Sequence, residues 1–178
     1  MTLDKGYYNK YYYEGGQLKR SEEYDSRNRL ALSHTYAYNA QQQLSELITQ
    51  VLDPLEEGST EIKRSYTYDN WGNVTEEKMS VKQPGKEVYT LASITRYEGY
   101  DQQKSAENLT EFYPYLPQIK MNVNNPGKRI ALDPDGNTIR STQTYTYQYN
   151  EQGYPSRKTV QTQSGATVTS ITATYQYE

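Results

Sequence analysis

One stretch of the sequence reads Tyr66-Thr67-Tyr68-Asp69-Asn70-Trp71-Gly72-Asn73-Val74 and combines the signals of a strand with those of a tight turn. Residues two apart on a strand point to the same face, so Tyr66 and Tyr68 place two rings on one side of a sheet. Asp69 and Gly72 tolerate the backbone conformations that tight turns require. The stretch therefore predicts a strand, a turn and a second strand that follows directly.

The same pattern, Tyr-x-Tyr followed by Asp or Asn and a short polar turn, recurs along the chain. Other copies, some of them looser, begin at Tyr11, Tyr24, Tyr36 and Tyr147. Copies lie about 12 or about 30 residues apart, which corresponds to a strand with its turn or to a hairpin with its connections. The repeat unit is therefore a hairpin, and residues 1–178 are expected to form a single β domain of tyrosine-marked hairpin repeats.

The segments between turn signals predict an all-β fold, an antiparallel up-and-down meander of about ten strands whose short connections join neighbours. We expect this sheet to be strongly curved or to form a partly open barrel. Residues 98–109 lack β alternation and residues 112–117 contain two prolines, so 98–127 is interpreted as one long irregular crossover with about one helical turn. The strands are expected near residues 6–13, 17–24, 30–38, 43–52, 60–69, 73–82, 86–97, 128–132, 138–149, 154–163 and 166–177.

The amino-acid composition raises the question of what fills the core. Leu, Ile, Val and Phe make up only 27 of the 178 residues, whereas there are 21 tyrosines. A buried tyrosine ring removes on the order of 150–250 Å² from water, so tyrosines can supply the missing apolar area. The net charge of −3 is too small for self-repulsion to keep the chain unfolded. We therefore expect a folded domain whose thin core is packed with tyrosines.

Charge and cysteine content exclude several classes of function. The 19 basic and 22 acidic residues are interspersed, so no basic stripe is available to bind a nucleic acid. Cysteine is absent, which removes disulfides, thiol nucleophiles and thiolate metal sites. No apolar run approaches the ~20 residues of a transmembrane span, and residues 1–6 carry no secretory signal. We expect a soluble monomer that binds no cofactor.

Few side chains could support catalysis or metal binding. The single histidine, His34, lies on an expected strand and is interpreted as structural. Asp133–Asn137 alternates oxygen ligands, but Thr144 stands where a calcium loop needs a bidentate Glu, so the segment is interpreted as a turn. Adjacent carboxylates such as Glu22 and Glu23 face opposite sides of a strand and cannot converge on one substrate atom. The sequence therefore predicts no catalytic residues, no metal site and no enzyme.

Aromatic side chains are the one functional group in excess. Trp71 at a turn tip, and Tyr113 and Tyr115 in the long crossover, are candidates for ligand contact, because exposed rings can stack on sugar rings. The repeat tyrosines are interpreted instead as cross-strand ladders that hold the sheet together. Only Trp71, Tyr113 and Tyr115 are therefore candidates for ligand binding.

Two families share features with these motifs. The stretch that begins at Tyr66, and the copy that begins at Tyr147, resemble YD repeats of the Rhs and teneurin type, whose strand-turn-strand units build β-shells. A second resemblance extends from about Tyr66 to the end of the chain. It is carried by Tyr97-Glu98-Gly99-Tyr100-Asp101, Tyr113-Pro114-Tyr115-Leu116-Pro117, Asn124-Asn125-Pro126, Tyr145–Pro155 and Tyr175-Gln176-Tyr177-Glu178.

These segments resemble Bacteroides-type secreted lipoproteins of unknown function, a family with a porin-like fold. The resemblance implies a strongly curved or barrel-like antiparallel sheet. It also implies a place in the periplasm or at the outer membrane, anchored through a lipidated N-terminal cysteine that this chain does not contain. No activity and no catalytic residue are assigned to the family, so the resemblance implies none.

Three functions are consistent with these features. The first is a non-enzymatic cell-envelope protein that acts as a binding or scaffolding module, with another envelope protein as its partner. The second is a carrier of an apolar ligand, such as a lipid or a lipoprotein segment, held on the concave face of the sheet. The third is a glycan-binding accessory protein.

Overall fold

The computed structural model describes residues 6–52, 59–105 and 119–177. These residues contain eleven β-strands and no helix. The strands are β1 (Tyr8–Glu14), β2 (Gln17–Tyr24), β3 (Leu30–Tyr38), β4 (Leu44–Leu52), β5 (Ser59–Tyr68), β6 (Val74–Lys82), β7 (Thr90–Glu98), β8 (Lys128–Leu132), β9 (Ile139–Tyr149), β10 (Pro155–Ser164) and β11 (Thr167–Thr174).

All eleven strands belong to one sheet, and their order in the sheet is their order in the sequence. The predicted antiparallel up-and-down meander is therefore confirmed, with eleven strands where about ten were expected. Within the described residues β1 and β11 each pair with one neighbour only, so they form the two edges and the sheet does not close into a barrel.

Most strand boundaries lie within two residues of those expected. The largest difference is at β7, which begins at Thr90 and not near residue 86. Gly85 has a positive φ of 71°, and the Lys86 amide donates to the carbonyl of Gln83 at 3.1 Å, which forms the turn. Val88 is exposed beyond that turn, so residues 86–89 extend the connection and do not join the sheet.

Four turns share one geometry, which explains why the repeat needs Asp or Asn after its last tyrosine. In each turn a side-chain oxygen of that Asp or Asn accepts the backbone N–H groups of the residues two and four positions later. Its own N–H donates to the carbonyl four positions later, at 2.9 Å in every case. The first residues of the four turns are Asp25, Asn39, Asp69 and Asn150.

The residue three positions into each of these turns has a positive φ, which is the position of a G1 bulge after a type I turn. Glycine adopts this conformation without strain, and Gly72 and Gly153 occupy it with φ of 92° and 78°. Asn28 and Gln42 adopt it with φ of 62° and 65°. The turn geometry is therefore set mainly by the Asp or Asn side chain, and glycine is the unstrained choice for the bulge.

The chain packs as two compact units. The described part of the first unit comprises residues 6–52, 59–65 and 78–92, and that of the second comprises 66–77, 93–105 and 119–177. The buried residues of the first unit are Leu18, Ser21, Glu22, His34, Tyr36, Leu44, Leu47 and Thr49. Those of the second include Asn73, Val74, Ile94, Thr95, Ser105, Asn122, Asn125, Leu132 and Pro155. A single domain over 1–178 stays a prediction.

The tyrosines surround these cores and do not fill them. Among the described tyrosines only Tyr36 is buried, and most of the others are half-buried. Several rings lie beneath lysine ammonium groups, as in Lys10 over Tyr24 at 4.4 Å and Lys158 over Tyr145 at 4.8 Å. The expectation of a tyrosine-packed core is therefore wrong. Most described rings are only half-buried, and several hydroxyls bond within the chain, as that of Tyr38 does to the Leu18 carbonyl at 2.8 Å.

Candidate functional site

The candidate site is the turn between β5 and β6, residues 69–73, which we call the Asp69 turn. Trp71 lies at its tip with 79% of its surface exposed, as expected for a turn residue. Its backbone N–H donates to Asp69 Oδ1 at 2.9 Å, and that oxygen also accepts from the Asn73 N–H at 2.9 Å. The turn therefore presents the indole to solvent on a backbone that is fixed on the inner side.

Asn73 ties the Asp69 turn to a distant part of the chain. Its side chain is 1% exposed, and its Oδ1 accepts the backbone N–H groups of Val123 and Asn124 at 2.9 and 2.8 Å. Its Nδ2 donates to Asp69 Oδ2 and to Asn124 Oδ1, both at 3.2 Å. One buried amide thus holds both the carboxylate that shapes the turn and the segment that packs behind it.

Asn122 and Tyr100 extend this support to the first residue of β6. Asn122 Oδ1 accepts the Val74 N–H at 3.0 Å and the Tyr100 hydroxyl at 2.9 Å. The same hydroxyl also lies 2.6 Å from the Val74 carbonyl oxygen. Both backbone groups of Val74 therefore interact with side chains from remote segments, which fixes the start of the strand that follows the turn.

Asn125 and Asp101 hold the segment 122–125, which packs behind the Asp69 turn, at its C-terminal end. The Asp101 N–H donates to the Asn125 carbonyl at 3.0 Å, and Asn125 Nδ2 donates to the Lys104 carbonyl at 2.8 Å. The Tyr149 hydroxyl hydrogen-bonds to Asp101. We call Asn73, Asn122, Asn124 and Asn125 the amide cluster. The first three side chains join the Asp69 turn and the start of β6 to residues 122–124, and Asn125 joins the same segment to Asp101 and Lys104.

A close backbone approach completes the support. The Gly127 N–H donates to the carbonyls of Glu98 and Gly99 at 3.0 and 2.9 Å. A Cβ at position 127 would lie 2.7 Å from the Gly99 carbonyl oxygen, which is too close for any side chain, so this position requires glycine. The two described ends of the predicted crossover, residues 98–105 and 119–127, are therefore ordered by direct backbone contact.

The electrostatics of the Asp69 turn suit a fixed scaffold and not proton transfer. Burial raises the pKa of the Asp69 carboxyl, but hydrogen bonds from Asn73, Trp71 and Gly72 outweigh burial and hold the pKa below its ordinary value. The carboxylate is therefore ionised at neutral pH, and its oxygens accept hydrogen bonds from the turn. What the arrangement offers a ligand is an exposed aromatic ring on a backbone that is held in place.

The other aromatic candidates differ from Trp71. Tyr113 and Tyr115 lie outside the described residues. Several tyrosines of the sheet are already covered by cations: Tyr89 has Lys63 and Lys82 over its ring at 4.5 and 5.3 Å. The indole of Trp71, by contrast, makes no ring or cation contact with the part of the chain that the structure describes. Its face is therefore available for stacking.

The titratable residues singled out in the sequence have structural partners. His34 is buried, with Nδ1 2.9 Å from Thr49 Oγ1 and Nε2 3.0 Å from Glu23 Oε1. Glu22, on the opposite face of β2, accepts hydrogen bonds from Tyr12 at 2.7 Å and from Tyr24 at 2.9 Å. Within residues 6–52, 59–105 and 119–177, no three His, Asp or Glu side chains gather as metal ligands would.

The Asp133–Asn137 segment forms a turn, as the sequence predicts. Asp135 Oδ1 accepts the N–H groups of Asn137 and Thr138, both at 2.9 Å, and Asp135 Oδ2 accepts from the Thr138 hydroxyl at 2.6 Å. The Thr138 hydroxyl, followed by the two amides, lowers the pKa of Asp135 to about 2. Both carboxylate oxygens are thus used within the turn.

An open groove lies along the β6–β7 hairpin. It has a volume of about 660 Å³. Among the described residues its apolar lining comes from Val81, Val88, Leu91 and Ala92, and its polar lining from Gln83, Lys86, Glu87 and Thr90. The mixed lining and the exposure of Val88 distinguish this groove from the enclosed apolar cavity that a lipid carrier needs. No helix in the described residues is long and apolar enough to span a membrane.

Comparison with known proteins identifies a fold and not a family. No protein-family model matches the sequence. No curated protein matches it. The fold is similar to that of a porin-like protein from Bacteroides uniformis, with a TM-score of 0.56 and 15% sequence identity, over 94% of this chain and 67% of that protein. At this identity the likeness concerns the fold alone, and it agrees with the porin-like fold that the sequence resemblance implies.

Proposed function

We propose that this chain is a non-enzymatic binding module of the Gram-negative cell envelope, and that it binds glycans through Trp71. The observation that carries the proposal is the exposed indole on the Asp69 turn, whose backbone is fixed by the amide cluster. An indole face stacks on the apolar face of a sugar ring, and a backbone that is already ordered loses little conformational entropy on binding.

The envelope assignment rests on the resemblance to secreted lipoproteins of Bacteroides type, and the likeness in fold to a porin-like Bacteroides protein supports it. Placement in the periplasm or at the outer membrane, through a lipid anchor, belongs to the same proposal. The resemblance to YD repeats also stays a prediction. Binding without catalysis is proposed because the titratable residues described above are engaged in cross-strand pairs and turns.

A carrier of an apolar ligand is less well supported. The groove along the β6–β7 hairpin is the one feature that favours it, and four of its eight described lining residues are polar or charged. A bound acyl chain would remain partly exposed to water there, and each exposed CH₂ would forfeit about 0.8 kcal/mol of transfer free energy. Glycan binding at the turn requires no enclosed cavity.

The test uses the fluorescence of the indole itself, because Trp71 is the only tryptophan in the chain. The purified protein is titrated with soluble neutral polysaccharides, such as dextran, mannan and xylan, while emission is recorded under selective tryptophan excitation. We expect a saturable change in intensity and a blue shift with at least one polysaccharide, because stacking removes water from the indole.

Matched variants separate the ring from the turn that carries it. Trp71→Ala should abolish retention on the immobilised polysaccharide that gives the fluorescence change. Gln41 occupies the equivalent position in the turn that begins at Asn39, so Gln41→Ala should leave retention unchanged. A flat fluorescence response across the panel, or equal retention of Trp71→Ala and wild type, would refute the proposal.

A further inference from the structure

The two edges of the sheet differ in how they are protected against pairing with another strand. An unpaired edge exposes a row of backbone N–H and C=O groups, and proteins usually blunt it with charges, prolines or bulges. β1 has such features: Lys10 lies over the Tyr24 ring at 4.4 Å, and a register shift interrupts the strand between Tyr12 and Tyr13.

β11 has none of these features. Its eight residues, Thr167–Thr174, contain no charged residue, no proline and no glycine, and every one of them is exposed. Its pairing with β10 runs from Ser164 opposite Thr167 to Arg157 opposite Thr174 without a register shift. Threonine, valine and isoleucine favour extended strands, so the edge is regular and rich in residues that pair well.

The backbone direction of each β11 residue follows from this pairing. The Tyr175 N–H donates to the Ser156 carbonyl at 2.9 Å, so odd-numbered residues of this strand direct their hydrogen bonds toward β10. The even-numbered residues therefore direct their N–H and C=O groups outward. These residues are Val168, Ser170, Thr172 and Thr174.

We propose that β11 is a self-association site, at which the β11 strands of two copies of this chain pair antiparallel about a twofold axis. A charge-free strand meets its own copy without like-charge repulsion, whereas the charges and bulge of β1 disfavour pairing of β11 with β1. The closed twofold arrangement also ends the assembly at a dimer. The monomer expected from the sequence is the outcome that would contradict this proposal.

The register of the pair follows from the outward residues. Centring the twofold axis on Ile171 places Val168 opposite Thr174 and Ser170 opposite Thr172, which is the one register that pairs all four outward residues within the strand. Ile171 then lies opposite its own copy in a non-hydrogen-bonded pair, where side chains approach most closely. Ile171 is 72% exposed, so pairing would bury apolar surface that the described structure leaves in water.

Sedimentation velocity tests the proposal over concentrations from about 1 µM to about 1 mM, because one strand pair buries less than stable interfaces and half-association is expected on the order of 100 µM. Wild-type protein should approach twice the monomer mass. Ile171→Lys and Ile171→Glu should each remain monomeric, because each places like charges opposite one another. An equimolar mixture of the two should associate at least as well as wild type.

Ile139→Lys is the matched control, since Ile139 is also an exposed isoleucine but lies on β9, away from the edge. This variant should associate like wild type, and circular dichroism should show the same strand content in every variant. Four outcomes would overturn the proposal: monomeric wild type at the highest concentration, dimeric Ile171→Lys, a mixture that stays monomeric, or wild-type species that grow beyond a dimer.

Discussion

The buried side chains of the first unit include Leu47, Tyr36 and His34 on two neighbouring strands, whereas the second unit buries Asn73, Asn122 and other amide-bearing residues at the ends of strands and in connections. Both units contain turns of the same geometry, one beginning at Asn39 and one at Asp69. The difference teaches that the repeat builds its turn locally, and that remote amides add a second set of hydrogen bonds behind the Asp69 turn.

Leu47→Ala tests whether the first unit depends on apolar burial. Leu47 is fully buried on β4, so its truncation should lower the free energy of unfolding by about 2–5 kcal/mol, the sum of lost transfer free energy and a residual cavity. Urea denaturation followed by circular dichroism measures the change. A loss below about 1 kcal/mol would mean that this core contributes little and would remove the contrast between the units.

Asn73→Ala tests the amide cluster, and Gln43→Ala is its control, because Gln43 holds the same position in the Asn39 turn. Loss of Asn73 leaves the N–H groups of Val123 and Asn124 without their acceptor, which should cost about 2–4 kcal/mol. Gln43 accepts one hydrogen bond, from Asn39 at 2.9 Å, so its truncation should cost less than about 1 kcal/mol. Equal losses in urea denaturation would contradict the contrast.

Lowering the pH should lower the unfolding free energy of the first unit, because His34 is buried there. Burial lowers the pKa of His34 below its ordinary value of 6.5, and the hydrogen bond that its ring donates to Glu23 only partly opposes this. As the pH falls, the unfolded chain therefore takes up the proton first. The stabilisation is complete above pH 6.5 and is lost between that value and the lower pKa of the folded state, by up to about 1.4 kcal/mol per pH unit.

The measurement compares urea denaturation of wild type and His34→Gln between pH 4.5 and 8. The unfolding free energy of wild type should decrease more steeply with acid in this range than that of the variant. Parallel profiles would show that His34 does not titrate differently in the folded and unfolded states.

The smallest expected effect concerns the bulge position of the turns. Gln42 adopts a φ of 65°, and this backbone conformation costs a residue with a side chain about 1 kcal/mol. Glycine avoids that cost, but it also gives the unfolded chain more conformational entropy, which offsets part of the gain. Gln42→Gly should therefore raise the melting temperature slightly, by the equivalent of about 0.5 kcal/mol. Gly72→Ala should lower it, because Gly72 has a φ of 92°. Changes of the same sign in both variants would contradict the shared geometry.

The sequence predicts the strands and the turns of this structure well. Period-two alternation and turn residues place the eleven strands, and Asp or Asn after Tyr marks the four equivalent turns, because these signals act within five residues. The amide cluster was not predicted. The hydrogen bonds that join residues 73 and 74 to residues 122–124 connect positions 48 to 51 apart, as between Val74 and Asn122 or between Asn73 and Asn124, and such partners leave no local pattern.

The burial of the tyrosines also depends on distant partners that leave no local pattern in the sequence. The tyrosine-rich composition indicated apolar area but not how deeply it is buried, and in the structure every described tyrosine except Tyr36 is half-buried or exposed. The run Asn122-Val123-Asn124-Asn125 was the available signal for the cluster, since amides so concentrated in an irregular segment can satisfy many buried backbone groups. The exposure of Trp71 followed from its place at a turn tip. The hydrogen bonds from Val123 and Asn124 that support that turn did not follow from the sequence.

The most direct test of glycan binding at Trp71 is a nuclear magnetic resonance titration of ¹⁵N-labelled protein. The ligand is the soluble polysaccharide that changes Trp71 fluorescence, or xylan if none does. We predict that the indole Nε1–H signal of Trp71 and the amide signals of Asn70 and Gly72 shift together and saturate, while those of Gln41 and Gln42 in the Asn39 turn do not move. Shifts confined to other residues, or none at Trp71, would contradict the account.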